Sequence, residues 1–125
     1  MKKTIFILED DEAQRYVLEK SLSDQSCRVI LTASTQEAMD YLQNTEEKID
    51  LFIADILLPG LNGLEFRKFL LSSDNFSHIP FIFLTGHLRY AQKASELSPH
   101  LVLTKPIHGD DVKKIITNLF LEMEA

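Results

Sequence analysis

Cysteine is almost absent from this chain, with Cys27 the only one. No intrachain disulfide and no multi-cysteine zinc site can form, and a lone thiol fits a reducing, cytoplasmic location, where it is expected to be buried. Histidine is sparse and scattered: His78, His87, His100 and His108 stand singly, without the close spacing of helix-borne or finger-type metal sites, and are expected on the surface or in loops. Positive charge is short as well. Thirteen Lys and Arg against nineteen Asp and Glu give a net charge of -6, which repels phosphate backbones and anionic lipid surfaces and argues against direct nucleic-acid or membrane partners. The start, Met1 to Leu8, holds an apolar run of only about five residues before three acids, too short for the core of a signal peptide. No stretch approaches a membrane span, and no repeat, low-complexity tract or linker interrupts the chain.

What remains is an ordinary globular composition, 45% hydrophobic and 26% charged over 125 residues, which suits one domain spanning residues 1–125. Short apolar runs alternate with segments of helical period. The runs are Thr4 to Leu8, Arg28 to Thr32, Asp50 to Ala54, Pro80 to Leu84 and Leu101 to Thr104, rich in Ile, Leu, Val and Phe and without alternation, as in strands covered on both faces. Between them, Ala13, Tyr16 and Val17 suggest the inward face of a first helix, and Ala38, Tyr41 and Leu42 that of a second, with Ser34 and Glu37 as a capping box. Phe66, Phe69 and Leu70 mark a third, and Arg89 to Leu97 a faint fourth. Val112, Ile115, Ile116 and Leu119 mark a long last one. Five strands alternating with five helices imply right-handed crossovers and an α/β doubly wound parallel sheet, whose ligands bind beyond the carboxyl ends of the strands.

The polar residues converge on that edge. Glu9, Asp10 and Asp11 follow the first run, Asp55 the third, Thr85 the fourth and Lys105 the fifth. Like charges at close range resist simultaneous ionisation, so Asp10 and Asp55 with Glu9 beside them call for a cation. Carboxylates without His or Cys ligands suit a hard divalent ion, foremost Mg²⁺, which shares phosphate oxygens readily. Asp55 then becomes a candidate nucleophile for an acyl phosphate, with Lys105 as fixed positive charge and Thr85 as hydroxyl donor for the phosphoryl oxygens. Each feature alone has a plainer reading: an acidic run at a helix start is commonly capping, an Asp before Pro and Gly a turn, and a Lys-Pro a loop. The fourfold coincidence outweighs these. Asp11 keeps the plainer reading as a helix-start residue, and Gly60 and Gly63 are expected to act through the backbone.

The pieces "ILEDDEAQR", "ADILLPGLNG", "FIFLTGH" and "LTKPI", in that order and spacing, resemble the receiver domain of two-component response regulators, and the resemblance covers essentially the whole chain. It implies a chemotaxis-regulator-like, flavodoxin-like sheet of strand order 2-1-3-4-5 with five helices. It implies Asp55 as phosphoacceptor, Glu9 and Asp10 as the acidic pair, and the Leu57 backbone carbonyl as a further Mg²⁺ ligand beside Asp55. Thr85 and Lys105 complete the site, with a cis peptide at Lys105-Pro106. Leu57 and His87 fall two places beyond Asp55 and Thr85, where the family influences access of water to the phosphoryl group.

The chain departs from the family at Val102, three residues before Lys105, where Tyr or Phe is usual. If Thr85 moves toward the phosphoryl group, no ring at 102 can follow it inward, so the resemblance implies a shift that travels through the loops around the fourth and fifth strands differently, or weakly. A second departure is Leu97-Ser98-Pro99-His100, which replaces the usual glycine-containing turn before the fifth strand. The favoured function is a phosphorylatable signalling switch that takes its phosphoryl group from a histidine kinase or histidine phosphotransfer protein and relays the change to a partner or output domain. The alternative is a receiver-like interaction module that works without phosphorylation. A turnover phosphatase would need a second Asp two places after the nucleophile, where Leu57 stands, so the chain is expected to be no enzyme beyond self-catalysed phosphorylation and dephosphorylation. The resemblance places partners on the fourth and last helices. It leaves open a phosphorylation-dependent dimer, and also whether the domain acts alone or within a longer protein.

Overall fold

The computed structural model describes residues 2–58, 62–106 and 108–124. The apolar runs become parallel strands β1 (Lys3–Leu8), β2 (Cys27–Thr32), β3 (Leu51–Ala54), β4 (Phe81–Thr85) and β5 (Leu101–Thr104). They alternate with helices α1 (Glu12–Leu22), α2 (Thr35–Asn44), α3 (Gly63–Leu71), α4 (Ala91–Ser95) and α5 (Gly109–Glu124), and a 3-10 turn, Leu88–Tyr90, precedes α4. The sheet order is β2-β1-β3-β4-β5, with every neighbouring pair parallel, as the resemblance implied.

The unalternating runs are explained by two cores, one on each face of the sheet. On β1, Phe6 and Leu8 enter one cluster with Phe52, Phe66, Phe81 and Phe83, whereas Ile5 and Ile7 enter the other with Leu18, Ile53, Val112 and Ile116. The phenylalanine-rich face is tightly interlocked, with Phe81 and Phe83 ring centroids 4.7 Å apart. Each fully buried ring stabilises the fold by roughly 1.5–3 kcal/mol, which makes this face a main source of stability.

Among the described residues, side-chain caps begin three helices. Asp11 accepts from Gln14 N, Ser34 from Glu37 N, and Asn62 from Glu65 N. At α2 the capping box forms as expected, although Glu37 returns its bond to the N–H of Ala33 rather than to that of Ser34.

The first helix corrects the sequence expectation. Ala13, Tyr16 and Val17 face outward, Tyr16 and Val17 being 59% and 46% exposed, and Leu18 and Leu22 are the buried residues. Both sets satisfy helical spacing, and the two larger aliphatics, one turn apart, win the core. The fourth helix is short, in keeping with its faint period. Cys27 is buried and its thiol is pushed up by that burial. The four histidines are exposed. Among the described residues no helix is long and apolar enough to cross a membrane.

Candidate functional site

Strand register assembles the site. Leu8 pairs with Ala54, and Asp55 N–H donates to the Leu8 carbonyl at 3.1 Å, so Glu9 and Asp55 leave the sheet side by side. Across β4 and β5, Thr85 pairs with Thr104 and Lys105 N–H donates to the Thr85 carbonyl at 2.7 Å. Four strand ends thus bring Glu9, Asp10, Asp55, Thr85 and Lys105 to one edge. The Lys105-Pro106 peptide is cis.

Lys105 holds the centre. Its Nζ donates to Glu9 Oε1 at 2.5 Å and to Asp55 Oδ2 at 2.8 Å. Asp55, 9% exposed, uses Oδ1 to accept from the Ile56 N–H at 2.6 Å. Glu9 is 2% exposed, and its Oε2 accepts from the Asp11 N–H at 3.1 Å. Burial raises the Glu9 carboxyl above its ordinary value, and the Lys105 and Asp11 hydrogen bonds offset only part of that. For Lys105, burial alone would lower the pKa, but its bonds to Asp55 and Glu9 outweigh burial and hold the ammonium above the ordinary lysine value.

Asp10 is exposed at the mouth, and one carboxylate oxygen from each of Glu9, Asp10 and Asp55 lies within 4.8 Å of the others. An all-oxygen, all-anionic donor set without imidazole or thiolate fits a hard divalent cation rather than zinc or copper. Thr85 is fully buried, and its Oγ1 accepts from the His87 N–H at 3.1 Å. An open cleft of about 770 Å³ spans the site, with Leu57, Gly86 and His87 among its walls. Asp11 caps α1, as its plainer reading held.

Beyond the expected residues, two more shape the site, and one buried charge lies away from it. Arg15 Nη1 donates to the Glu9 carbonyl at 2.8 Å and braces the acidic loop from α1. Gly63, expected only as a backbone residue, proves to be a point of close approach: a Cβ there would lie 1.9 Å from the Asp55 carbonyl oxygen. Arg67 is buried on the inner face of α3, and its position one turn after Gly63 and three before Leu70 was the available signal. Gly60 lies outside the described residues.

Residues 5–117 match the family model described as the response regulator receiver domain. The polar-differentiation response regulator DivK of Brucella anthropi is 33% identical over 96 residues, which cover 77% of this chain and 74% of DivK. Among solved structures, the chemotaxis response regulator CheY4 of Vibrio cholerae superposes with a TM-score of 0.83 at 21% identity, covering 94% of this chain and 98% of that one. The response regulator TrrA of Thermotoga maritima, in complex with Mg(2+)-BeF, gives 0.80 at 23% identity, with the same coverage of 94% and 98%. The chain spans only 15 to 57% of the length of other curated relatives it matches. With the parallel sheet of order 2-1-3-4-5 and the acidic edge beneath Lys105, these matches establish that the chain belongs to the response regulator receiver domain family of two-component systems.

Proposed function

We propose that residues 1–125 form one receiver domain that works as a phosphorylatable switch, with Asp55 accepting a phosphoryl group from a histidine kinase or histidine phosphotransfer protein. The observation that carries this reading is the Lys105 ammonium, hydrogen-bonded to both Asp55 and Glu9 at the carboxyl edge of the sheet. A relative in fold, TrrA, is described in complex with Mg(2+)-BeF. Here Glu9, Asp10, Asp55 and the Leu57 backbone carbonyl would hold Mg²⁺, which would supply charge neutralisation for the incoming phosphoryl oxygens.

Asp55 presents Oδ2 as the nucleophilic oxygen. Its lone pair forms the new O–P bond, and the bond to the donor breaks with its electrons leaving on the donor nitrogen. Lys105 exchanges its bond to Asp55 Oδ2 for one to a phosphoryl oxygen. Thr85 turns its hydroxyl from the His87 N–H toward the same group, so that fixed donors meet the charge as it develops. Leu57 and His87, on the cleft wall, govern the approach of water and hence the lifetime of the acyl phosphate. The domain acts on its own phosphoryl group and turns over no other substrate. A single buried free thiol accords with a cytoplasmic setting.

Val102 supports a second reading, a receiver-like interaction module, because this half-buried residue offers no ring to follow Thr85. Intact-protein mass after incubation with acetyl phosphate, with and without Mg²⁺, separates the two. One added phosphoryl group that requires both Mg²⁺ and Asp55, and is absent from Asp55→Asn, is the expected result. No addition to the folded native chain from acetyl phosphate or from a kinase donor overturns the switch in favour of the module.

A further inference from the structure

Arg67 is the buried charge that the proposed chemistry leaves unused. It lies 4% exposed in the middle of α3, with its guanidinium carbon 4.8 Å from the centroid of the Phe81 ring. Nε donates to the Leu97 carbonyl at 3.0 Å and Nη2 to the Ser98 carbonyl at 2.8 Å, while Nη1 is buried without an acceptor among the described residues. No carboxylate among the described residues pairs with it. A leucine would fill such a position without the desolvation of a cation, so what the arginine adds is its grip on two successive carbonyls.

The gripped turn needs holding. Ser98 has φ 52°, in the left-handed region that favours glycine, so the turn before β5 is strained where Arg67 clasps it. At the other end, Gly63 N–H donates to the Ile56 carbonyl at 2.7 Å, and Gly63 sits so close to the Asp55 carbonyl that no side chain fits. Gly63 and Arg67 are one turn apart on the same face of α3. The helix is therefore seated on the Asp55 loop at its first turn and on the Leu97-Ser98 turn at its second.

We propose that Arg67 is a positioning residue that carries a displacement of the Asp55 loop, through α3, to the turn between α4 and β5. It provides a route from the site to that face that does not require a ring at position 102. The unspent Nη1 donor lets the guanidinium change acceptors as α3 shifts, which gives the turn a second arrangement for the site to bias. The inference rests on the reading of Asp55 as phosphoacceptor.

The test follows backbone amide shifts by NMR in the native chain, Arg67→Met, Arg67→Lys and Arg67→Met/Ser98→Gly. Acetyl phosphate with Mg²⁺ is the stimulus, and intact mass reports phosphorylation. In the native chain the amides of Ile56, Gly63, Leu97 and Ser98 are expected to shift together. In Arg67→Met the mass gain and the Ile56 and Gly63 shifts persist, while the Leu97 and Ser98 response is lost, and Arg67→Lys recovers part of it. Glycine at 98 relaxes the turn on its own, so the double variant is expected to place the Leu97 and His100 amides where a Ser98→Gly control has them, without the response. A merely structural role predicts that the response returns too, and that result overturns the proposal. So does a native chain in which Ile56 and Gly63 respond but Leu97 and Ser98 do not, or an unaltered response in Arg67→Met. If the native chain takes no phosphoryl group, the acceptor reading fails separately; a titration with Mg²⁺ alone then becomes the stimulus, and the same loss of the 97 and 98 shifts in Arg67→Met decides.

Discussion

Lys105 sits between two carboxylates that are almost out of water, with side-chain exposures of 14% for the lysine, 3% for Glu9 and 10% for Asp55. Removing one partner of such a buried group leaves like charges facing each other without a counter-ion, so Lys105→Met is expected to destabilise the metal-free protein by about 3 kcal/mol. Urea unfolding of the two proteins checks this, and equal midpoints would refute the bridging role. The same contacts set an alkaline limit. A lysine pKa raised in the folded state contributes stability that is fully present below the ordinary value of 10.5 and is lost as pH rises through the folded value. The native urea midpoint should therefore fall above that pH in a way that Lys105→Met does not reproduce. The gathering of Glu9, Asp10, Asp55, Thr85 and Lys105 was legible in the sequence because each directly follows or ends an apolar run, and parallel order alone carries run ends to one edge. Arg67 was not, because a charged residue beside Phe66 reads as the solvent side of a helix until the turn it clasps is seen.

At the scale of elements, strands were easier to read than helix faces. A strand buried on both sides shows itself as an unbroken run, and the observed bounds of β1 to β5 lie within a residue of those expected. A helix buried on one side leaves its facing to tertiary contacts, which is how Tyr16 and Val17 came to lie outside and Leu18 and Leu22 inside. The seating of α3 was likewise hidden, since Asn62-Gly63 reads as a turn pair although Asn62 serves as N-cap and Gly63 as a contact point. This yields a prediction for Gly63→Ala. The new methyl would meet the Asp55 carbonyl at 1.9 Å, and backbone cannot swing aside as a flexible side chain can. Overpacking of this kind costs about 1–3 kcal/mol. Because the clash is with Asp55 itself, the variant should lose phosphorylation rate as well as stability. A protein that unfolds at the native urea concentration and phosphorylates at the native rate would show that α3 is not seated on the Asp55 loop.

Across the whole molecule, a net charge of -6 is concentrated in part at one edge, where Asp10 stands exposed beside two carboxylates that Lys105 already shares. Asp10 is therefore the least compensated acid of the cluster, and its effect on global stability should change sign with the metal. Without Mg²⁺, Asp10→Asn relieves like-charge repulsion and should unfold at higher urea than the native chain. With Mg²⁺, a cation that binds only the folded state stabilises it by RT ln(1 + [L]/Kd), or about 2.7 kcal/mol at a hundred times Kd. The variant, lacking one carboxylate of the proposed ligand set, should gain less at the same concentration and fall below the native protein. The expected result is thus a crossing of the two stability curves along a Mg²⁺ titration, measured by urea midpoints in a small domain suited to two-state treatment. Because a crossing requires the same carboxylate to repel its neighbours and hold the ion, parallel curves would remove Asp10 from the metal site. A variant less stable at every concentration would instead show that Asp10 stabilises the fold by some contact other than the ion.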